Sequence, residues 1–389
     1  MFPKLKQLFM LDPSITYLNH GSFGACPRPI FNNLIKWQKK LEYEPVKHLA
    51  YDIFPLLEES RKSLSDFIGC QMDDIIFSPN PSTALNTVIK SLKLKSNDEI
   101  LTTNHEYGAL DKTWDFICKK TGAKYIQQNI KLPLTSNTSF IEQFTKGITN
   151  KTKIIFFSHI TSSTALIFPA KEICAIAKEK DILCIIDGAH APAHINLDIE
   201  EIDPDVYVGA CHKWMCSPKG VSFLYVKKEF QNRIDPLVVS WGYEAEGTSL
   251  LPGNNNQIYK QFINYHEWQG TRDMSAYLTI PTTIKFLNNN KWKEVSSECH
   301  KINLWARQEI NQLLDQESLC SNKFLGQMSS IYLDFKNPIE TQINFYKKYK
   351  IQIPFIEWNN KSLIRISIQA YNNKEDIFKL LKALKKEFC

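Results

Sequence analysis

The chain has 389 residues, enough for two domains and a large buried core. Its net charge of +6 is spread along the sequence, with no basic block interleaved with aromatics, which argues against nucleic-acid binding. Apolar residues make up 43%, an ordinary globular share, and the longest apolar runs, such as Ile182-Leu-Cys-Ile-Ile186, are far too short to span a bilayer.

The first ten residues mix charges with apolar positions and do not read as a signal peptide. Ten cysteines are scattered without a CxxC pair, and Cys211 and Cys216 lack a zinc-ligand partner set. A reduced, cytoplasmic protein without a metal is expected.

From residue 73 to 226 strand and helix patterns alternate. Residues 74–77 are predicted as a strand, followed by an amphipathic helix over 82–94. A strand at 99–102 precedes a helix over 107–120, and 124–127 is the next strand. Residues 153–157 lead to a helix over 170–180, and strands at 182–186, 205–208 and 221–226 complete the series. Continuous apolar runs of this kind fit an α/β fold, with strands buried on both faces beneath helices. Such a sheet binds ligands beyond the carboxyl ends of its strands, where Asn80, His105, Ser158, Asp187 and His212 fall.

Residues 242–261, rich in Gly, Asn, Ser and Pro, read as a long loop. A helix over 274–288 then crosses to a second domain with a helix over 295–314, strands near 330–334 and 363–367, and a last helix over 374–387. The expected division is an N-terminal arm (1–45) packing near the small domain and the site mouth, a large domain (46–272) and a small domain (273–389).

Asp187 ends one apolar strand and Lys213 follows the next. This pairing suits pyridoxal phosphate (PLP): a lysine amine forms a Schiff base with the cofactor aldehyde, and a carboxylate keeps the pyridine nitrogen protonated. In Asn80-Pro-Ser-Thr-Ala84, two hydroxyls at a helix N-terminus offer a phosphate site, although Ser or Thr there also serves as an ordinary cap. Tyr107 could stack on the ring or simply pack. His190 and His212 flank the acid and the lysine. Arg365, inside the apolar run 364–368, needs an anionic partner: a substrate carboxylate or a structural ion pair. Arg272 raises the same question, with Asp273 beside it as an ion-pair partner.

Assembled, these residues make the chain resemble the class V aminotransferase family, fold-type-I PLP enzymes, and within it the isopenicillin N epimerase-like branch. The matching stretches include Tyr17-Leu-Asn-His-Gly-Ser-Phe-Gly24, Asn80-Pro-Ser-Thr-Ala-Leu-Asn86, His105-Glu-Tyr-Gly-Ala109, Asp187-Gly-Ala-His190, His212-Lys213, Gly270-Thr-Arg-Asp273 and Arg365-Ile-Ser, in family order over nearly the whole length. The resemblance implies a large domain with a mostly parallel seven-stranded sheet between helices, plus a smaller α+β C-terminal domain. It implies that Lys213 holds PLP and shuttles protons at the substrate α-carbon, Asp187 pairs with the pyridinium, and Tyr107 covers the ring. His190 would approach the phenolic oxygen. Ser82, Thr83 and His212 would bind phosphate, with Thr271 reaching it across the interface of a homodimer. Arg365 would take the carboxylate of an amino-acid substrate, while Asn19 and His20 line the mouth. Many relatives carry an asparagine where this chain has Ser162 and Ser163, a departure near the phenolic oxygen.

The family name does not fix the reaction. No cysteine lies between Cys320 and Arg365, where a desulfurase carries its nucleophile. Elimination from an S-substituted cysteine or cysteine sulfoxide needs one base and a leaving group, so a C–S lyase is the leading expectation. An epimerase needs a second base, for which Tyr107, His20 and His105 are the candidates; transamination ranks below both. A non-catalytic protein on the same fold would show a degraded site, and no principal position is lost. No GxGxxG or Walker-type run supports nucleotide binding.

Overall fold

The apolar runs between residues 75 and 226 become one sheet. In a computed structural model that describes residues 2–243 and 261–389, its strands are β1 (Ile75–Ser78), β2 (Glu99–Thr103), β3 (Lys124–Gln128), β4 (Thr152–Ser158), β5 (Leu183–Gly188), β6 (Val206–Ala210) and β7 (Ser222–Val226). Their order is β1-β7-β6-β5-β4-β2-β3. Only β7 runs against the rest, antiparallel to both neighbours. Alternate residues enter opposite cores: Ile155 and Phe157 of β4 face one, Ile154 and Phe156 the other. The period of two thus turns each apolar run into two half-cores, which requires helices on both faces.

Those helices are α1 (Arg28–Tyr43), α2 (Ile53–Ile68), α3 (Pro81–Ser91), α4 (Gly108–Thr121), α5 (Asn137–Thr145) and α6 (Ala170–Glu179). Asn80 caps α3 with Pro81 in its first turn, so the helix starts where the sequence signals it. The single helix expected over 274–288 is instead a short turn at Tyr277–Thr279 and then α7 (Ile280–Asn289). Pro281 lacks a backbone N–H and is accommodated only in a first helical turn, so the helix restarts there.

The C-terminal part adds α8 (Trp292–Leu314), α9 (Pro338–Tyr349) and α10 (Lys374–Phe388) around a three-stranded antiparallel sheet of β8 (Met328–Tyr332), β9 (Phe355–Trp358) and β10 (Lys361–Ser367), with β10 central. Strand β9, not expected from the sequence, pairs with β10 through Asn359-Asn360, both at positive φ, as a two-residue hairpin turn demands. Of the expected loop 242–261, residues 244–260 lie outside the described residues, and Gln261 begins a helix, Gln261–Glu267. No helix among the described residues is long and apolar enough to cross a membrane.

The N-terminal segment is tied to this sheet region: Thr16–Tyr17 pair in parallel with Ile351–Gln352, and Asn19 bridges to Ser367. The chain then passes against the lysine loop. Gly24 has φ +68°, and a Cβ there would lie 2.0 Å from the His212 carbonyl oxygen, so only glycine permits this approach.

Candidate active site

The carboxyl ends of five strands of the large sheet open on one cleft of about 260 Å³. Beyond β1 come Asn80 and Ser82; beyond β2, Tyr107; β4 ends at Ser158; β5 supplies Asp187 and leads to His190; β6 leads to His212 and Lys213. All of these line the cleft. Strand register places Ser158 beside Asp187, and Asp187 beside Val208 of β6. Ser22 and the exposed Phe23 close it from the N-terminal segment.

Lys213 stands half-buried in this cleft. Burial pushes its amine down to about 8, opposed by the Asp187 carboxylate and assisted by the Arg365 guanidinium. Its Nζ lies 3.1 Å from His190 Nε2, and Trp214 Nε1–H donates to His190 Nδ1 at 3.2 Å. Asp187 is buried, and burial raises its pKa; its Oδ1 accepts the Ala189 N–H at 2.9 Å, which works the other way. No cation lies within ion-pair distance of Asp187 among the described residues. A buried carboxylate without a cationic partner is costly unless a ligand supplies one.

Arg365 has the complementary problem. Buried on β10, it donates Nη1 to the Ser162 carbonyl at 2.6 Å and Nη2 to Ser22 Oγ at 2.9 Å, with Asn19 Oδ1 at 3.4 Å. Its Nε–H has no partner, and no carboxylate pairs with it among the described residues. Burial lowers it only to about 10, so it remains a cation at neutral pH. The structural ion pair left open by the sequence is not formed among the described residues.

Of the expected phosphate ligands, Ser82 lines the cleft at the N-terminus of α3 and His212 at the loop before Lys213. Thr83 closes the helix cap instead: its N–H and hydroxyl both donate to Asn80 Oδ1, at 2.8 and 3.1 Å. His212 donates Nδ1–H to the Val221 carbonyl at 3.0 Å, which leaves Nε2 for the cleft.

Three expectations need correction. His20 does not line the mouth: it is fully buried, its Nδ1 meets Tyr371 Oη at 2.9 Å and its Nε2 donates to the Lys213 carbonyl at 3.0 Å. His105 is equally buried, between Thr164 Oγ1 and the Ile130 carbonyl, and lies outside the cleft. Arg272 is pinned by the Glu267 carbonyl at 2.9 Å and lies over Tyr277, while Asp273 takes Gln38 and the Ser275 N–H instead of forming an ion pair with it. Thr271 lies elsewhere in the same chain, in an apolar hollow of about 390 Å³ with Val46, Leu49, Trp241 and Trp268.

Glu106 was not among the expected residues, although it stands inside a matching motif. It is buried and accepts the Ser158 and Thr103 hydroxyls at 2.6 and 2.5 Å; burial raises it to about 8, with Asp187 adding to the shift.

A buried amine, an unpaired carboxylate one strand away and a helix N-terminus with a free hydroxyl fit PLP: they match its aldehyde, pyridine nitrogen and phosphate. Among the described residues no cluster of three metal-ligating side chains exists.

The aminotransferase class-V family model matches residues 35–380. The isopenicillin N epimerase of Amycolatopsis lactamdurans is 28% identical over 387 residues, covering 96% of each chain. The hercynylcysteine sulfoxide lyase of Schizosaccharomyces pombe is 25% identical, covering 99% of this chain and 97% of its own. Among solved structures, apo cysteine desulfurase from Thermococcus onnurineus NA1 superposes with a TM-score of 0.83 at 18% identity, over 99% of this chain and 98% of that one.

Proposed function

Because the chain belongs to the class V aminotransferase family of PLP-dependent enzymes, we propose that it is a C–S lyase cleaving an S-substituted cysteine or cysteine sulfoxide. When bound, PLP supplies the electron sink that makes the substrate α-proton removable. The rest falls to this chain's residues. Lys213 would hold the cofactor and, as a free amine, take the α-proton; Asp187 would keep the pyridine nitrogen protonated. Ser82 and His212 would hold the phosphate, Tyr107 would cover the ring, and Arg365 would fix the substrate carboxylate. The Cα–H bond breaks toward the lysine, the Cβ–S bond breaks toward sulfur, and the released product decays in water to pyruvate and ammonia.

The observation that carries the choice of reaction is the loss of second-base candidates. With His20 and His105 buried and hydrogen-bonded through both nitrogens, Tyr107 alone remains of the three candidates for protonating the opposite face. Elimination needs only Lys213. Among the described residues no cysteine lines the cleft, and burial holds the thiols of Cys26, Cys216 and Cys320 above their usual range, which disfavours a persulfide route. All ten cysteines are unpaired, which suits a reducing cytoplasm. The apolar hollow holding Thr271, with Val46 74% and Trp241 63% exposed, supports a two-fold homodimer that brings Thr271 to the partner's phosphate site.

Incubation with S-substituted cysteines in deuterated water, followed by NMR, tests the reading. Pyruvate is the expected product. Deuterium exchange with inversion and no pyruvate would replace the lyase with an epimerase, and Tyr107→Phe would then have to stop inversion.

A further inference from the structure

The partners of His190 permit one arrangement of protons. Trp214 Nε1–H can only donate, and it points to His190 Nδ1 at 3.2 Å, so Nδ1 carries the lone pair. The single ring proton of the neutral imidazole is therefore on Nε2, 3.1 Å from Lys213 Nζ. An Nε2–H cannot accept a hydrogen bond. It can only donate, so this contact forms only while Lys213 is a neutral amine.

Trp214 is itself held in place. It is fully buried and stacks on His194 with centroids 3.9 Å apart and planes 24° apart. His194 has no freedom either: Nε2 accepts the Gln327 N–H at 2.7 Å, and Nδ1 donates to the His190 carbonyl at 3.0 Å. A Cβ on Gly326 would lie 2.4 Å from that Nε2, so the contact needs glycine. The N–H groups of Gln327 (backbone), His194, Trp214 and His190 thus each have one acceptor.

We propose that Trp214 is a positioning residue that locks His190 in its Nε2–H tautomer and so presents Lys213 as the free amine that takes up the cofactor. The proposal rests on Lys213 being the PLP lysine. The charged and titratable groups facing His190 are Lys213, Arg365, His194 and His212, and Asp187 faces Lys213. Burial, with the Arg365 guanidinium beside it, keeps the His190 ring neutral. Without the indole N–H, a neutral ring can move its proton to Nδ1, and Nε2 becomes an acceptor that favours the lysine ammonium.

The test uses apoprotein, PLP and Trp214→Phe, which removes the donor and keeps an aromatic ring, though a smaller one, against His194. The rate of PLP uptake is followed by absorbance across pH. The wild-type midpoint is expected at about 8. In the variant it should rise by about one unit, making uptake roughly tenfold slower at neutral pH. A variant slower at every pH with an unmoved midpoint would reduce Trp214 to packing and overturn the proposal. Nitrogen-15 NMR of the wild-type apoprotein gives an answer that does not depend on the variant folding: His190 should be neutral with its proton on Nε2, and an Nδ1–H or charged ring overturns the proposal. Borohydride reduction and peptide mapping separate the two layers. PLP on another residue overturns the Lys213 reading and the proposal with it, whereas PLP on Lys213 with an unmoved midpoint overturns the proposal alone.

Discussion

The lysine side of the cleft and the arginine side, where Arg365 stands behind the lining residues Ser22 and Ser162, are built in opposite ways. Asp187 stands near the end of one strand, and Ser82, Tyr107 and Lys213 follow other strands of the same sheet, so their spacing is set as soon as that sheet forms. The arginine side is drawn from three distant segments: Asn19 and Ser22, Ser162, and Arg365, whose contacts to Ser22 and Asn19 span 343 and 346 residues. It exists only when the N-terminal segment and the three-stranded C-terminal sheet both pack against the loop after β4 that carries Ser162. Cofactor binding should therefore survive damage that destroys substrate recognition, and the reverse should not hold.

The harshest trial of that asymmetry is Lys213→Ala. It should abolish the absorbance of lysine-linked PLP and lower turnover by about 10³-fold or more, the scale of a lost base. Retained covalent PLP in this variant would transfer the role to another residue. Arg365→Ala comes next. Amino-acid kcat/KM should fall by roughly 10²- to 10³-fold, the cost of losing a buried bidentate carboxylate partner, while the PLP spectrum stays intact. If PLP is lost as well, the two sides are not separable.

A smaller effect probes beneath the lysine side. Glu106 is raised from 4.5 to about 8 by burial, so between those values the folded chain binds a proton that the unfolded chain has released. Stability from this group is fully present below about pH 4.5 and is lost as pH rises through 8. Glu106→Gln should flatten that decline. Thermal melts of the apoprotein should show the variant gaining on wild type from about pH 5 to about pH 8, by at most a few kcal/mol. An equal gap at both pH values would mean that Glu106 is already ionised.

The same contrast governs what the sequence disclosed. The lysine side was legible because each residue stands in an unbroken motif after an apolar strand. Glu106 and Trp214, adjacent to Tyr107 and Lys213, could have been found from the same motifs, since a charged or indole-bearing residue inside a buried run needs a partner. His20 was misplaced because its partners, Tyr371 and the Lys213 carbonyl, lie 351 and 193 residues away. The identity of Arg365 was visible, but its lack of an acidic partner was not. The Asn359-Asn360 hairpin carries a local signal, since asparagine tolerates the positive φ that such a turn imposes.

The subtlest trial lies at the seam between the two sides. Ser22 Oγ accepts Arg365 Nη2–H at 2.9 Å and donates to Asn19 Oδ1 at 2.6 Å, so it can act on the guanidinium in two ways. As a support it holds the fork toward the cleft; as a competitor it occupies a donor that the substrate carboxylate would use. Ser22→Ala distinguishes these by sign. The second contact, to Asn19, ties the hydroxyl to the N-terminal segment, which favours the supporting role. KM should then rise about fivefold with kcat unchanged, equivalent to about 1 kcal/mol, one hydrogen bond. A fall in KM would mean that the substrate displaces Ser22, and that the arginine side is completed by the ligand and not by the docked N-terminal segment.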